Sequence, residues 1–451
     1  MSQRTIHVVG GGLAGCEAAL QLARLGIPIT LHEMRPRSST PVHQSGDLAE
    51  IVCSNSFKSM DHATPSGLLK LELERLGCLL LAVARSTAVP AGAALAVDRD
   101  RFARAVTQLV IRQPSISLVR EEVTHLDLSS DDYWLLATGP LTAHPLQTQI
   151  QELTGREGLH FFDAIAPSVT KESLDLQVLF RAARYGKGEA DYLNAPMDEP
   201  TYQAFHQALV SADKVAVPDF DRAQLFAGCQ PIEEIAASGT DSLVFGPLRP
   251  VGLVDPATGR RSHAVVQLRQ ENQAGSLYGL VGFQTRLKYG EQKRVFRMIP
   301  GLHKAEFVRL GQMHRNFYLD TPRSLNRQFA LHVDPRVRIA GQITGVEGYM
   351  ESICSGLVTS WQLAAELRGI DLPPWPSHSM IGALLFGFLF DTTSRRFAPM
   401  NVNYGLIPPL STRIKGRRER KLALTARAME DLETYLSCPE LRRLLAASSD
   451  G

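Results

Sequence analysis

Apolar and polar positions alternate along the first part of the chain in a strand–turn–helix–strand order. Thr5 to Gly11 is rich in β-branched residues and predicts a buried strand. Cys16 to Leu25 carries its apolar residues at helical spacing, and Gly26 stops that helix. Pro28 to Glu33 predicts a second strand ending in an acid, and residues 34–49, rich in Arg, Pro, Ser, Thr and His, predict a loop. Leu68, Leu69, Leu76 and Leu80 predict a helix over 66–85, and a further helix is expected over 99–112. Asp132 to Pro140 predicts a strand closed by a sharp turn. From about 150 to 330, β-like runs alternate with Gly and Pro turns. Val337 to Gly341 predicts another strand, and Gly345 to Gly348 leads into a long helix from Tyr349 to Leu367. Pro373, Pro374 and Pro376 around Trp375 mark a linker. The pattern predicts an α/β protein. A discontinuous dinucleotide-binding domain spans 1–150 and 331–372, an inserted α+β domain spans 151–330, and a C-terminal segment spans 373–451.

Composition narrows this little. The 451 residues are 44% hydrophobic and 21% charged, enough for two or three domains with real cores. Lys plus Arg number 48 against 46 Asp plus Glu, a net charge of +2, so any RNA contact must use local patches. The N-terminus runs straight into a strand with no signal-peptide pattern, and no stretch approaches the ~20 apolar residues of a membrane span. Gly382 to Phe390 is too short and is expected in the core. The expected location is the cytoplasm, with no membrane partner. The six cysteines (16, 53, 78, 229, 354, 438) contain no Cys-x-x-Cys pair, which argues against a zinc site and against a redox disulfide. No metal is expected.

The candidate chemistry begins at Gly10-x-Gly12-x-x-Gly15, with Gly11, Leu13 and Ala14 inside it and Glu33 about twenty residues on. In a dinucleotide fingerprint the first glycine permits the turn, the second admits the pyrophosphate, and the third lets helix and strand pack. The acid accepts a ribose hydroxyl, and the helix N-terminus attracts phosphate. The later unit, with Gly341, Gly345 and Gly348, is similar to the second strand–helix of flavoproteins of the glutathione-reductase type, whose positive helix end faces the flavin ring. Ala137, Thr138 and Gly139 resemble the strand end of two-dinucleotide-binding flavoproteins. FAD is therefore expected in a Rossmann-like domain. No second complete fingerprint is present, so a pyridine nucleotide would dock transiently. Cys53, about twenty residues past the first unit, is either a nucleophile or redox group, or simply a buried thiol.

Longer strings resemble the folate- and FAD-dependent tRNA (uracil-5-)-methyltransferases. They are Val8 to Ala19, Glu50 to Ser56, Leu95 to Arg99, Ala137 to Leu141, Arg184 to Gly186, Asp191 to Asn194, Cys229 to Glu233, Gly246 to Leu253, Val265 to Arg269, Leu280 to Thr285, Met313 to Asn316, Gly341 to Tyr349 and Pro399 to Leu406. The resemblance covers the chain to about Leu410. It implies 5,10-methylenetetrahydrofolate as carbon donor, FAD as relay, NADPH or NADH as reductant, and the T-loop uridine of tRNA as acceptor. It implies that Cys53 and Cys229 are the functional thiols, without saying which attacks uracil, and that His314 stacks on the pterin ring. Arg269, Arg286, Lys288 and Arg315 become candidates for the folate tail or RNA phosphates. Cys354 and Tyr289 depart from the family, which commonly has a small residue and a Trp there. The basic run Arg413 to Lys421 suits either RNA phosphates or a solvated helix face. A target base must leave its stack to reach a flavin. Rival readings are the same chemistry on ribosomal RNA, a flavoprotein of wobble-uridine modification, and a non-catalytic flavin-binding RNA protein.

Overall fold

The computed structural model describes residues 4–186, 189–216, 230–393 and 397–446. A five-stranded sheet forms the base of the first unit, in the order Val337–Ile339, Tyr133–Leu136, Ile6–Val9, Ile29–His32, Ile116–Val119. Every pairing in it is parallel, with Val8 opposite both Leu31 and Leu135. Parallel strands need helical crossovers, and their β-branched runs are buried on both faces.

Helix Leu13–Arg24 supplies the first crossover and ends before Gly26 at φ +72°. It packs along helix Tyr349–Leu367, which is buried along nearly its whole length. Their close approach depends on Gly356, where a Cβ would lie 2.2 Å from the Ala14 carbonyl oxygen. Trp361 adds a hydrogen bond from Nε1 to Gln21 Oε1 at 3.2 Å.

The leucine-rich stretch expected as one helix is two, Pro65–Arg75 and Leu79–Ser86. Gly77, at φ +72°, turns the chain between them, and a Cβ there would meet the Arg24 guanidinium at 2.5 Å. Buried Glu17 caps the second helix through the Leu79 and Leu80 amides, at 3.1 and 2.8 Å. The apolar periodicity continues across the break, so pattern alone hides it.

Residues beyond the first unit build a six-stranded antiparallel sheet in the order Phe180–Ala182, Tyr192–Met197, Ala264–Gln270, Leu277–Leu280, Ser168–Thr170, Phe307–Arg309. Its own core holds Tyr202, Phe205, Phe283 and Phe296. A ribbon of Leu159–Ala164 against Met313–Tyr318 runs into and out of this sheet. After Trp375 the chain returns to the first core, contributing Leu384, Leu385, Leu389, Leu432 and Leu444. The apolar stretch 382–390 falls here, with Ala383–Phe388 as a π-helical turn. Among the described residues no helix is long and apolar enough to cross a membrane.

Candidate functional site

Parallel strands leave a crevice at their carboxyl ends, and here it is lined by the first glycine turn. Gly10 adopts φ +102°, and a Cβ on it would lie 2.6 Å from the Ala137 carbonyl oxygen. A Cβ on Gly15 would lie 1.9 Å from the Gly10 oxygen, whereas one on Gly12 would meet nothing within 4 Å. Two glycines thus close the strand–helix contact and the third leaves the backbone open. Gly12 is the N-cap of helix Leu13–Arg24, whose first turn has no side-chain cap and no acidic residue. That leaves amide donors and the positive helix end available to an anion.

The crevice continues as a cavity of ≈ 1140 Å³, counting space open to solvent. Gly10, Gly12, Leu13 and Ala14 line one wall, His32, Glu33, Met34 and Arg35 another, and Thr138 to Ala143 a third. Gly341, Gln342, Tyr349, Ser352 and His314 line the part at the second helix, while Gly11, Gly15, Gly345 and Gly348 are not among the lining residues. Gly341 and Gly345 adopt φ +80° and +90°, and Gly348, at φ +119°, is the N-cap of helix Tyr349–Leu367. Gly139, at φ +69°, is open, with nothing within 4 Å of a Cβ.

Glu33 is more heavily engaged than its place in the fingerprint suggests. Its Oε2 accepts from the Gly11 amide at 2.9 Å and from Arg35 Nη2 at 3.3 Å. Its Oε1 accepts from the Arg35 amide and Nε, both at 2.9 Å. Burial works to raise the Glu33 carboxyl, but Arg35 outweighs it and holds the group below the usual carboxylate range. A carboxylate has about four acceptor sites, so a ribose hydroxyl competes here with the longest bond, that from Arg35 Nη2. Arg35 also reaches Glu50 Oε2 at 3.2 Å. Arg35 lies in the loop expected over 34–49, and no spacing rule marks it.

Cys53 is half-buried beside this cavity, between Val52 and Ser54; Val52 lines the wall and Cys53 itself does not. Its amide donates to Tyr349 Oη at 3.0 Å, and its Sγ lies 3.7 Å from the Ala164 carbonyl oxygen. His314 stands on strand Met313–Tyr318 opposite Asp163. Burial lowers the His314 imidazole, opposed by Asp163, and Nδ1 is buried without a hydrogen-bond partner. A neutral, flat ring with an unused polar atom suits a heteroaromatic ligand. The open glycine, the uncapped helix end and this ring together fit a dinucleotide with a ring system at its far end.

Cys229 lies outside the described residues. Cys16, Cys78 and Cys354 are buried, and burial pushes their thiols up, so they are packing groups. Two of the candidate cations are already paired. Arg286 binds Glu234, and Lys288 binds Asp213 at 3.0 Å. Arg269 donates to Asn55 Oδ1 at 2.8 Å, and Arg315 is exposed. Tyr289 is exposed and accepts a hydrogen bond from Gln312. In the basic run, Arg418 holds Asp61 in a fork at 2.6 and 3.0 Å, while Arg413, Lys415, Arg417 and Arg420 are exposed. Among the described residues no group of three or more His, Cys, Asp or Glu is placed to hold a metal ion.

The family model described as glucose inhibited division protein A matches residues 5–371. The methylenetetrahydrofolate--tRNA-(uracil-5-)-methyltransferase TrmFO of Heliobacterium modesticaldum is 49% identical over 433 residues, covering 96% of this chain and 98% of that protein. The enzyme of the same name from Moorella thermoacetica is 51% identical over 433 residues, covering 95% and 98%. Among solved structures, Aquifex aeolicus GidA in its form II crystal superposes with a TM-score of 0.67 at 17% identity, covering 98% of this chain and 75% of that one. That likeness is one of fold.

Proposed function

The chain belongs to the TrmFO family of methylenetetrahydrofolate--tRNA-(uracil-5-)-methyltransferases, and we propose that the cavity between Gly12 and His314 is where it works. It is a flavoprotein that carries a one-carbon unit from methylenetetrahydrofolate to C5 of uracil in tRNA. The acceptor is proposed to be the T-loop uridine, the reductant NADPH or NADH, and the location the cytosol.

The observation that supports this reading is the cavity's two ends. One offers an uncapped helix N-terminus above open Gly12. At the other, where Val52, Tyr349 and His314 line the cavity, the Cys53 amide is tied to Tyr349 and His314 Nδ1 is buried without a hydrogen-bond partner. Gly10, Gly12, Leu13 and Ala14 would hold the FAD pyrophosphate, Glu33 with Arg35 its ribose, and Gly341 with the following helix its ring. When bound, the flavin supplies the redox relay for the one-carbon unit.

Uracil C5 is a poor nucleophile. A thiolate that adds at C6 pushes the C5–C6 π pair toward the C4 carbonyl, giving an enolate whose C5 attacks the methylene carbon. A base then removes the C5 proton and the methylene's bond to the donor nitrogen breaks, the amine leaving and an exocyclic methylene forming. That methylene takes up a hydride from the reductant, and the returning electron pair expels the sulfur from C6. Cys53 and Cys229 are proposed to divide this work, one adding to uracil and the other serving the donor side.

Incubation with labelled methylenetetrahydrofolate, NADPH and a T-loop transcript tests the reading, beside an S-adenosylmethionine control and a ribosomal RNA fragment. Label is expected in the transcript from the folate alone. Transfer only from S-adenosylmethionine, or a purified protein without a flavin spectrum, would overturn it.

Two narrower outcomes follow. His314→Ala removes a stacking ring worth about 1–1.5 kcal/mol, so the KM for methylenetetrahydrofolate is expected to rise roughly tenfold with kcat changed much less. An unchanged KM takes His314 out of the folate site. Replacing Arg413, Lys415, Arg417 and Arg420 together by Ala should flatten the salt dependence of tRNA binding. The slope of log K against log salt falls by about 0.7–0.9 for each phosphate the protein no longer neutralises. An unchanged slope assigns the run to solvent.

A further inference from the structure

Residues 50–54 form neither helix nor strand, so the backbone around Cys53 needs partners from elsewhere. It finds them in arginines. Arg99 Nη1 donates to the Ile51 carbonyl oxygen at 3.0 Å, and Arg99 Nη2 to the Cys53 oxygen at 3.0 Å. Arg309 Nη1 donates to the Val52 oxygen between them at 2.8 Å. Three successive carbonyls are thus held by two guanidinium groups, while Tyr349 holds the Cys53 amide.

The two arginines come from different parts of the fold. Arg99 opens helix Arg99–Ile111 of the first unit. Arg309 ends Phe307–Arg309, the edge strand of the antiparallel sheet. Glu271, just past strand Ala264–Gln270 of that sheet, accepts from Arg99 Nη2 at 3.0 Å, and its other oxygen takes the Ser168 hydroxyl at 2.6 Å. Burial and the nearby Arg99 charge both lower the Arg309 guanidinium. Arg99 and Glu271 favour each other's charged forms, whereas Arg309 is held against its own, and such perturbed buried groups concentrate at functional sites.

We propose that Arg99 and Arg309 are positioning residues that fix the carbonyls on either side of the Cys53 Cα and so set where its thiol stands against the cavity. This rests on the reading of Cys53 as a reacting thiol. Arg99 spans two carbonyls and a carboxylate with one planar fork, which a lysine ammonium does not reproduce. Arg309 makes one carbonyl contact, which a lysine can keep.

The test compares Arg99→Lys, Arg309→Lys and Arg309→Ala in the flavin-loaded enzyme with tRNA transcript. Turnover is measured together with the iodoacetamide alkylation rate of the Cys53 peptide by mass spectrometry, and thermal melts check the fold. Arg99→Lys and Arg309→Ala are expected to lose about 10–100-fold in kcat, the scale of an ångström-sized misplacement, with both KM values within about threefold. Their Cys53 alkylation rates should change at least about threefold, while Arg309→Lys stays near wild type in every readout. Lost turnover with an unchanged alkylation rate overturns the proposal, as does equal damage from all three variants. Should Arg99→Lys fail to fold, the Arg309 pair decides. Altered alkylation at wild-type kcat leaves the clamp standing and removes Cys53 from the reaction.

Discussion

Cys53→Ala is expected to abolish methyl transfer to tRNA while leaving the protein folded and yellow. The side chain contributes little to the fold. It is half-buried, and its sulfur's contact with the Ala164 oxygen, at 3.7 Å, is long. Loss of a small, partly exposed group costs at most about 1 kcal/mol, well inside ordinary stability. Loss of a reacting thiol, whether on the uracil or the donor side, costs far more, on the order of 10³-fold or greater in kcat, because nothing else performs its step. Cys229→Ala is expected to match it, on the chemical ground that two jobs need two thiols. The pair can be told apart by the adduct each forms. Denaturing gels of enzyme incubated with labelled transcript should show a protein–RNA band in the variant that keeps the attacking thiol and none in the other. A wild-type rate in either variant removes that thiol from the mechanism.

The first glycine turn is readable because its rule is local. Gly10, Gly12 and Gly15 sit within one strand–helix junction, and each glycine has a separate steric reason that spacing alone expresses. The helix Tyr349–Leu367 is readable for the same reason, with glycines before it and apolar or small residues along nearly its whole length. What was hidden is contact between distant residues. Arg99 meets the Cys53 carbonyl across 46 positions, and Arg309 meets that of Val52 across 257. Arg286 and Lys288 looked free in the sequence because their acids lie 52 and 75 residues away. The break at Gly77 escaped because Leu76 and Leu80 keep helical spacing on both sides of a left-handed residue. Periodicity reports which face is buried and not where the backbone turns.

The same glycines give the second large effect, in which fold and flavin separate. Gly15→Ala is expected to damage both. Its Cβ would stand 1.9 Å from the Gly10 oxygen and 3.3 Å from the Ala137 Cβ. Gly10 cannot retreat, since its amide donates to the His32 oxygen at 2.8 Å and its φ of +102° suits only glycine. The helix must lift from the sheet, an overpacking cost of about 1–3 kcal/mol or more. At about 2–4 °C per kcal/mol for a unit of this size, the melt should fall by several degrees. Gly12→Ala should behave oppositely. Its φ of −79° is ordinary and nothing lies within 4 Å of the new methyl, so the flavin-free protein should melt within about 2 °C of wild type. That methyl would occupy the space proposed for the pyrophosphate's approach to the backbone amides, so flavin affinity should drop by roughly a hundredfold or more. Fluorescence titration of the flavin-free protein with FAD, beside a thermal melt, reads both quantities. Gly12→Ala that binds FAD like wild type would place the pyrophosphate elsewhere. A melt lowered as far as that of Gly15→Ala would mean the open side of the turn is packing surface instead of binding surface.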